Sequence, residues 1–105
     1  MSNKRVSDLI TRRRRQILVH SVIYYKYDSN LISDHQWNAW AQELANLQKN
    51  YPGIASECPL AEMFKDFDGS TGAFLPLDDP WANDQAKFLL GMKDRGLFDR
   101  EYICD

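Results

Sequence analysis

The sequence predicts an all-α fold: an antiparallel helical hairpin, a short helix and a C-terminal helix, with a long irregular loop before the last. Three observations lead there. Apolar residues recur at helical spacing along two long stretches, cap and stop residues bound the helices, and no strand-period segment longer than a few residues occurs. There is no internal repeat, and 105 residues suit one domain with one core. The expected organisation is a single domain over 1–105: a hairpin over 7–52, a short helix over 58–67, a loop over 68–79 and a helix over 80–95.

The first helix is expected to start near Ser7, a plausible N-cap, and to run to about Tyr27. Ile10, Ile17 and Tyr24 recur at intervals of seven, and Val22 and Tyr25 broaden the stripe. Asp28-Ser29-Asn30 then favours a turn. The second helix carries the clearest punctuation. Ser33 and Gln36 fit a capping box, and Ile32 and Trp37 fit a hydrophobic staple. Trp37, Trp40, Ala41, Leu44, Leu47 and Tyr51 follow one helical face, and Pro52-Gly53 reads as its stop. Two amphipathic helices joined by a short turn fold back on each other and bury their stripes together.

The third helix, over 58–67, would have Pro59 in its first turn and Leu60, Met63, Phe64 and Phe67 facing inward. Asp68-Gly69-Ser70-Thr71-Gly72 is loop chemistry, as is the stretch from Pro76 to Asp79. In the last helix Asp79 is placed as the cap, Pro80 as the first residue and Gly96 as the left-handed exit. Phe88, Leu89 and Met92 would form its apolar face, with Leu97 and Phe98 tucking back onto the core.

Composition narrows the function classes. At 44% hydrophobic and 27% charged the chain has a globular balance. No apolar run approaches the roughly 20 residues of a membrane span, so no membrane association is expected. The N-terminus leads into a basic stretch and has no apolar signal core, which points to the cytoplasm. Cys58 and Cys104 form no C-x-x-C pair, and two reduced thiols are the simplest reading. The net charge of −2 is unevenly spread: residues 1–28 hold seven Lys/Arg against two Asp. The positive charge centres on Arg12, Arg13, Arg14 and Arg15, a run that could meet nucleic acid or an acidic partner, or could be a solvated helix face. Four adjacent residues fan around a full helical turn and cannot all face one partner.

The stretch His20-Ser21-Val22-Ile23-Tyr24-Tyr25-Lys26-Tyr27-Asp28-Ser29-Asn30-Leu31-Ile32-Ser33-Asp34-His35-Gln36-Trp37-Asn38 resembles the N-terminal domain of NAD-dependent bacterial DNA ligases. That family's pattern is roughly Y-Y-x-x-D-x-P-x-I-S-D-x-E-Y-D, followed by a helix that ends at Y/H-P. The helix from Trp37 to Tyr51-Pro52 is similar in length and ending, and the resemblance covers about residues 8–60. It implies a hairpin that closes over the nicotinamide mononucleotide half of NAD, with aromatic rings stacking on the nicotinamide and carboxylates holding its polar groups. Tyr24, Tyr25 and Asp34 match the motif directly. Trp37 stands in place of its tyrosine, Asn38 of its final aspartate, Asn30 of its turn proline and Gln36 of its glutamate. The implied ligand set is Tyr24, Tyr25, Asp34, Trp37 and Asn38. A ligase of this kind also needs a lysine nucleophile in a K-x-D-G setting, which this sequence lacks.

The expected function is therefore a non-catalytic module that binds a nicotinamide nucleotide (NAD or nicotinamide mononucleotide) or a ligase-like partner, with no cofactor required. The alternative is an accessory or regulatory protein, of the kind a phage or mobile element carries, that reuses the hairpin for protein–protein contact. Nucleic-acid binding through the arginines is the weaker alternative.

Apart from any family, Asp34 at the first helical position meets the helix dipole favourably. Tyr24 and Trp37, on facing helix ends, could clamp a flat ring or simply pack the hairpin. His20 reads as a packed or partly exposed imidazole. Asp66-Phe67-Asp68-Gly69-Ser70 looks like the start of an aspartate-based phosphatase motif, but no strand precedes it. A calcium loop fails because the glycine and terminal glutamate are misplaced. The two His and two Cys have no zinc-ligand spacing, so no metal site is expected; no nucleophile, base and orienting group are recognisable together, so no catalytic residue is assigned.

Overall fold

The computed structural model describes residues 2–100, which form five helices. They are α1 (Asn3–Tyr25), α2 (Asp34–Asn50), α3 (Pro52–Glu57), α4 (Ala61–Phe64) and α5 (Pro80–Asp94). Among the described residues there is no strand, and no helix is long and apolar enough to cross a membrane. The fold is all-α, as the patterning predicts.

α1 is the central element. It starts five residues earlier than expected, because Ser2 takes the cap and its Oγ accepts from the Arg5 amide at 3.2 Å. The early start brings Val6 and Ile10 into the core, both fully buried. From Gln16 to Ile23 every residue is buried, since α2 and α5 both pack against this helix. The hairpin is therefore one part of a larger helical packing. Tyr24 and Tyr25, expected on the buried stripe, lie beyond this enclosure and are 52% and 44% exposed. The turn after α1 is closed by Asp28 in a left-handed conformation (φ 49°) and by the Ser29 amide donating to the Ile23 carbonyl.

α2 begins as predicted, with Ser33 Oγ accepting from the Gln36 amide at 3.0 Å. Trp40, Ala41, Leu44 and Leu47 are its buried face. Pro52-Gly53 does end α2, but Pro52 also opens α3, where its missing amide hydrogen is no loss. The single helix expected over 58–67 does not form. Cys58 is extended and Leu60 is left-handed (φ 67°), so only Ala61–Phe64 is helical.

The break is held by Arg14, whose guanidinium donates to the carbonyls of Ala55, Cys58 and Pro59 at 2.9–3.2 Å and to Gln48 Oε1 at 2.9 Å. Phe64 and Phe67 are buried beside it in sequence, and Leu60 and Met63 are half-buried against the core.

Both ends of α5 match their punctuation. Asp79 Oδ2 accepts from the Ala82 amide at 2.9 Å, and Pro80 is the first residue. At the far end Gly96 (φ 72°) makes a Schellman exit, with Leu97 N–H to Met92 O and Gly96 N–H to Lys93 O. The buried face is Ala82, Asn83, Ala86 and Leu89. Phe88, expected on that face, is 46% exposed, and Leu97 is 60% exposed while Phe98 packs back against the core. Asn83 ties the helix to its surroundings by donating to the Leu77 and Asp79 carbonyls and accepting from the Tyr27 hydroxyl. Cys58 is a free, buried thiol, and Cys104 lies outside the described residues.

Candidate functional site

A pocket of about 240 Å³ opens where α1 ends and α2 begins. Three segments build it. The last turns of α1 supply His20, Ser21, Tyr24 and Tyr25; the interhelical turn and the first turn of α2 supply Asn30 to Asp34, Trp37 and Asn38; the loop after Phe67 supplies Ser70 and Thr71. Helical spacing explains the first two sets. His20 and Tyr24 are four apart, and Asp34, Trp37 and Asn38 lie at i, i+3 and i+4, so each set shares a face. Tyr24, Tyr25, Asp34, Trp37 and Asn38 thus line one pocket.

The aromatic geometry is open at the mouth and fixed behind. Tyr24 and Tyr25 rings stand perpendicular with centroids 4.9 Å apart. Trp37 is half-buried, its ring edge-on to Phe67 at 6.4 Å. The loop is anchored at several points. Tyr25 and Thr71 hydroxyls share a hydrogen bond of 3.1 Å, Gln42 donates to the Gly69 carbonyl, and Asp68 Oδ1 accepts from both the amide and the hydroxyl of Ser70. Those bonds from Ser70 hold the Asp68 carboxyl below its ordinary range. Gly72 is the point of closest approach. A Cβ there would stand 2.3 Å from Ser21 Oγ and 3.3 Å from Trp37 Cζ2, so only glycine lets the loop lie this near α1.

The inner wall is His20 and Ser21, which are 4% and 0% exposed. The His20 ring packs against Trp40 at 5.8 Å and Phe98 at 6.3 Å. Burial pushes its pKa down to about 4, so the imidazole is neutral near pH 7. His20 Nδ1 and Ser21 Oγ are buried without hydrogen-bond partners. Among the lining side chains Asp34 is the one carboxylate, and there is no Lys or Arg. Among the described residues no group of three or more His, Cys, Asp and Glu is placed to hold a metal ion.

The four arginines do not act as a set. Arg14 is 2% exposed and spent on the carbonyls of Ala55, Cys58 and Pro59, so it cannot meet a nucleic acid or an acidic partner; its place on the α1 stripe turns it inward. Arg13 pairs with Glu43, donates to Gln16 and lies over the Trp40 ring at 5.3 Å. Arg12 lines a shallow surface depression with Ser2, Lys4, Arg5, Asp8 and Leu9.

The sequence did not place His20, Ser21, Ser70 or Thr71 in the site, nor Asn30 to Ser33 of the turn. Ser21 had one usable signal, its position beside His20 one turn before Tyr24, whereas the docking of the loop is long-range and leaves no local pattern. No family model matches the chain, and no curated protein or solved structure matches it either.

Proposed function

We propose that the chain is a small, non-catalytic binding module that takes the nicotinamide end of a nicotinamide nucleotide in the pocket between α1 and α2. The observation that carries this reading is the meeting of Tyr24, Tyr25, Trp37 and Asp34 around one opening that holds no lining Lys or Arg. Aromatic faces and a single carboxylate attract a flat, positively charged ring, and the pyridinium of such a nucleotide is one. The volume of about 240 Å³ is smaller than the roughly 300–1,000 Å³ of sites for larger ligands, and suits one ring with its substituent.

Calorimetric titration with nicotinamide mononucleotide, NAD and ADP-ribose tests the reading. The first two are expected to bind and ADP-ribose, which lacks the ring, is not. Tyr24→Ala and Asp34→Ala should abolish binding while circular dichroism shows unchanged helicity. Binding unaffected by Tyr24→Ala, or no heat from folded protein, sinks the proposal.

A second reading has its own support. Tyr24, Tyr25 and Phe74, on the hairpin end and the loop beside it, are 44–52% exposed. Such aromatics suit a protein partner, ligase-like or otherwise, that closes over the pocket. Co-purification of a stoichiometric protein that is lost in Tyr24→Ala, with no heat from any nucleotide, would favour it.

A further inference from the structure

The unpaired polar atoms on the inner wall have a chemical consequence. A buried hydroxyl or imidazole nitrogen without a partner is uncommon in a folded protein and marks a place for a water or a ligand group. A serine inside a helix can bond the carbonyl one turn back, yet Ser21 Oγ has no partner at all. Gly72 covers the hydroxyl on the loop side, and Trp40 and Phe98 fix the neighbouring imidazole. Both residues line the pocket with their orientation set by packing; their unpartnered atoms are covered in the empty fold, so a ligand group reaches them as the Gly72 loop gives way slightly.

Their chemistry is specific in what it accepts. A hydroxyl donates and accepts; a neutral imidazole carrying its proton on Nε2 accepts at Nδ1. Burial keeps this imidazole uncharged near pH 7, and no Lys or Arg lines the pocket. The wall can thus receive a donor and an acceptor side by side, but it has no positive charge for an anion, and Asp34 on the same pocket repels one. An uncharged carboxamide satisfies both atoms: its oxygen accepts from Ser21 Oγ–H and its NH₂ donates to His20 Nδ1. A carboxylate has no hydrogen to give Nδ1 and would be buried without a counter-charge.

We propose that His20 and Ser21 form a carboxamide subsite, which selects the amide of a nicotinamide nucleotide over the carboxylate of the matching nicotinic acid nucleotide; this rests on the function proposed above for the pocket. The test is calorimetric titration at pH 7 of the wild-type protein and Ser21→Ala with nicotinamide mononucleotide and nicotinic acid mononucleotide. The wild type is expected to prefer the amide by about tenfold or more. Ser21→Ala should lose most of that preference, while its melting temperature stays level or rises because an unbonded buried hydroxyl has gone. That pairing of weaker selectivity with undiminished stability is not what loss of a packing residue produces.

Equal affinity of the wild type for both nucleotides overturns the subsite and leaves the pocket reading standing. So does an amide preference that survives in Ser21→Ala, with the hydroxyl then assigned to water. If folded wild-type protein binds neither nucleotide, the pocket reading fails and the subsite with it.

Discussion

Arg14 sits where the periodicity of α1 calls for an apolar side chain, between Ile10 and Ile17/Leu18, and replacing it with methionine measures what that placement contributes. The methionine approximates the stem and keeps the site apolar, but it cannot donate. Two of the four acceptors, the carbonyls of Ala55 and Cys58, are in buried bonds, whereas those of Pro59 and Gln48 are nearer solvent. The Ala55 carbonyl keeps the Cys58 N–H as a donor at 3.4 Å, so the Cys58 carbonyl is the buried acceptor left bare, at a cost of about 2 kcal/mol. Domains of this size are stable by roughly 5–15 kcal/mol, and each kcal/mol is worth about 4–8 °C.

Arg14→Met should therefore lower the melting temperature by roughly 8–16 °C, followed by far-ultraviolet circular dichroism and confirmed by urea titration. Arg14→Lys should recover only part of the loss, because an ammonium is a point charge and cannot fork to several carbonyls. Lys4→Met is the control: its pair with Asp8 is highly exposed and should matter by less than about 0.5 kcal/mol. A Met variant melting within about 5 °C of the parent would refute the claim that Arg14 holds α3 and the break after it.

The remaining predictions concern the pocket and its supports. His20 is neutral in the fold and protonates at about 4 against 6.5 when unfolded, so between those values the unfolded chain holds more protons and stability falls as pH falls. About 3 kcal/mol should go across that window, read from urea midpoints, and a flat profile there would contradict the burial of the imidazole. Gly72→Ala puts a methyl group against Ser21 Oγ and Trp37; it should cost about 1–3 kcal/mol, lift the loop and weaken nucleotide binding in a titration. Ser33→Ala removes the cap of α2 and should destabilise by about 1 kcal/mol in urea.

What could be read from the chain divides along the line between local and distant chemistry. The starts of α2 and α5 and the exit of α5 depend on Ser33, Asp79, Pro80 and Gly96 and on residues within a few positions of each, so the pattern is self-contained. The start of α1 is not: Ser2 and Ser7 are equally good caps, and the core's need for Val6 and Ile10 decides between them. The same applies around Pro52, a residue that ends one helix and begins another, and around Leu60, where the side chain of Arg14, far away in sequence, holds the break. The meeting of Tyr24 and Trp37 was legible because one turn joins the two helix ends that carry them, whereas Tyr25, Asp34 and Asn38 were named only by the resemblance. Ser70 and Thr71 reach the same pocket through a loop whose landing place depends on a missing side chain at Gly72. Nothing in a run of four arginines tells which one turns inward.

The enclosure of α1 has a consequence for how the molecule comes apart. Since α2, α3 and α5 all lean on α1, no two helices form a unit that could persist once the others leave. The segment 7–52 cut out alone would expose the flank of α1 that α5 covers, and should not hold together. Amides of Gln16 to Ile23 should then exchange with solvent only through global opening, as one cooperative block. Any ligand held by His20 and Ser21 would slow exchange along the whole of that block, well beyond the residues it touches.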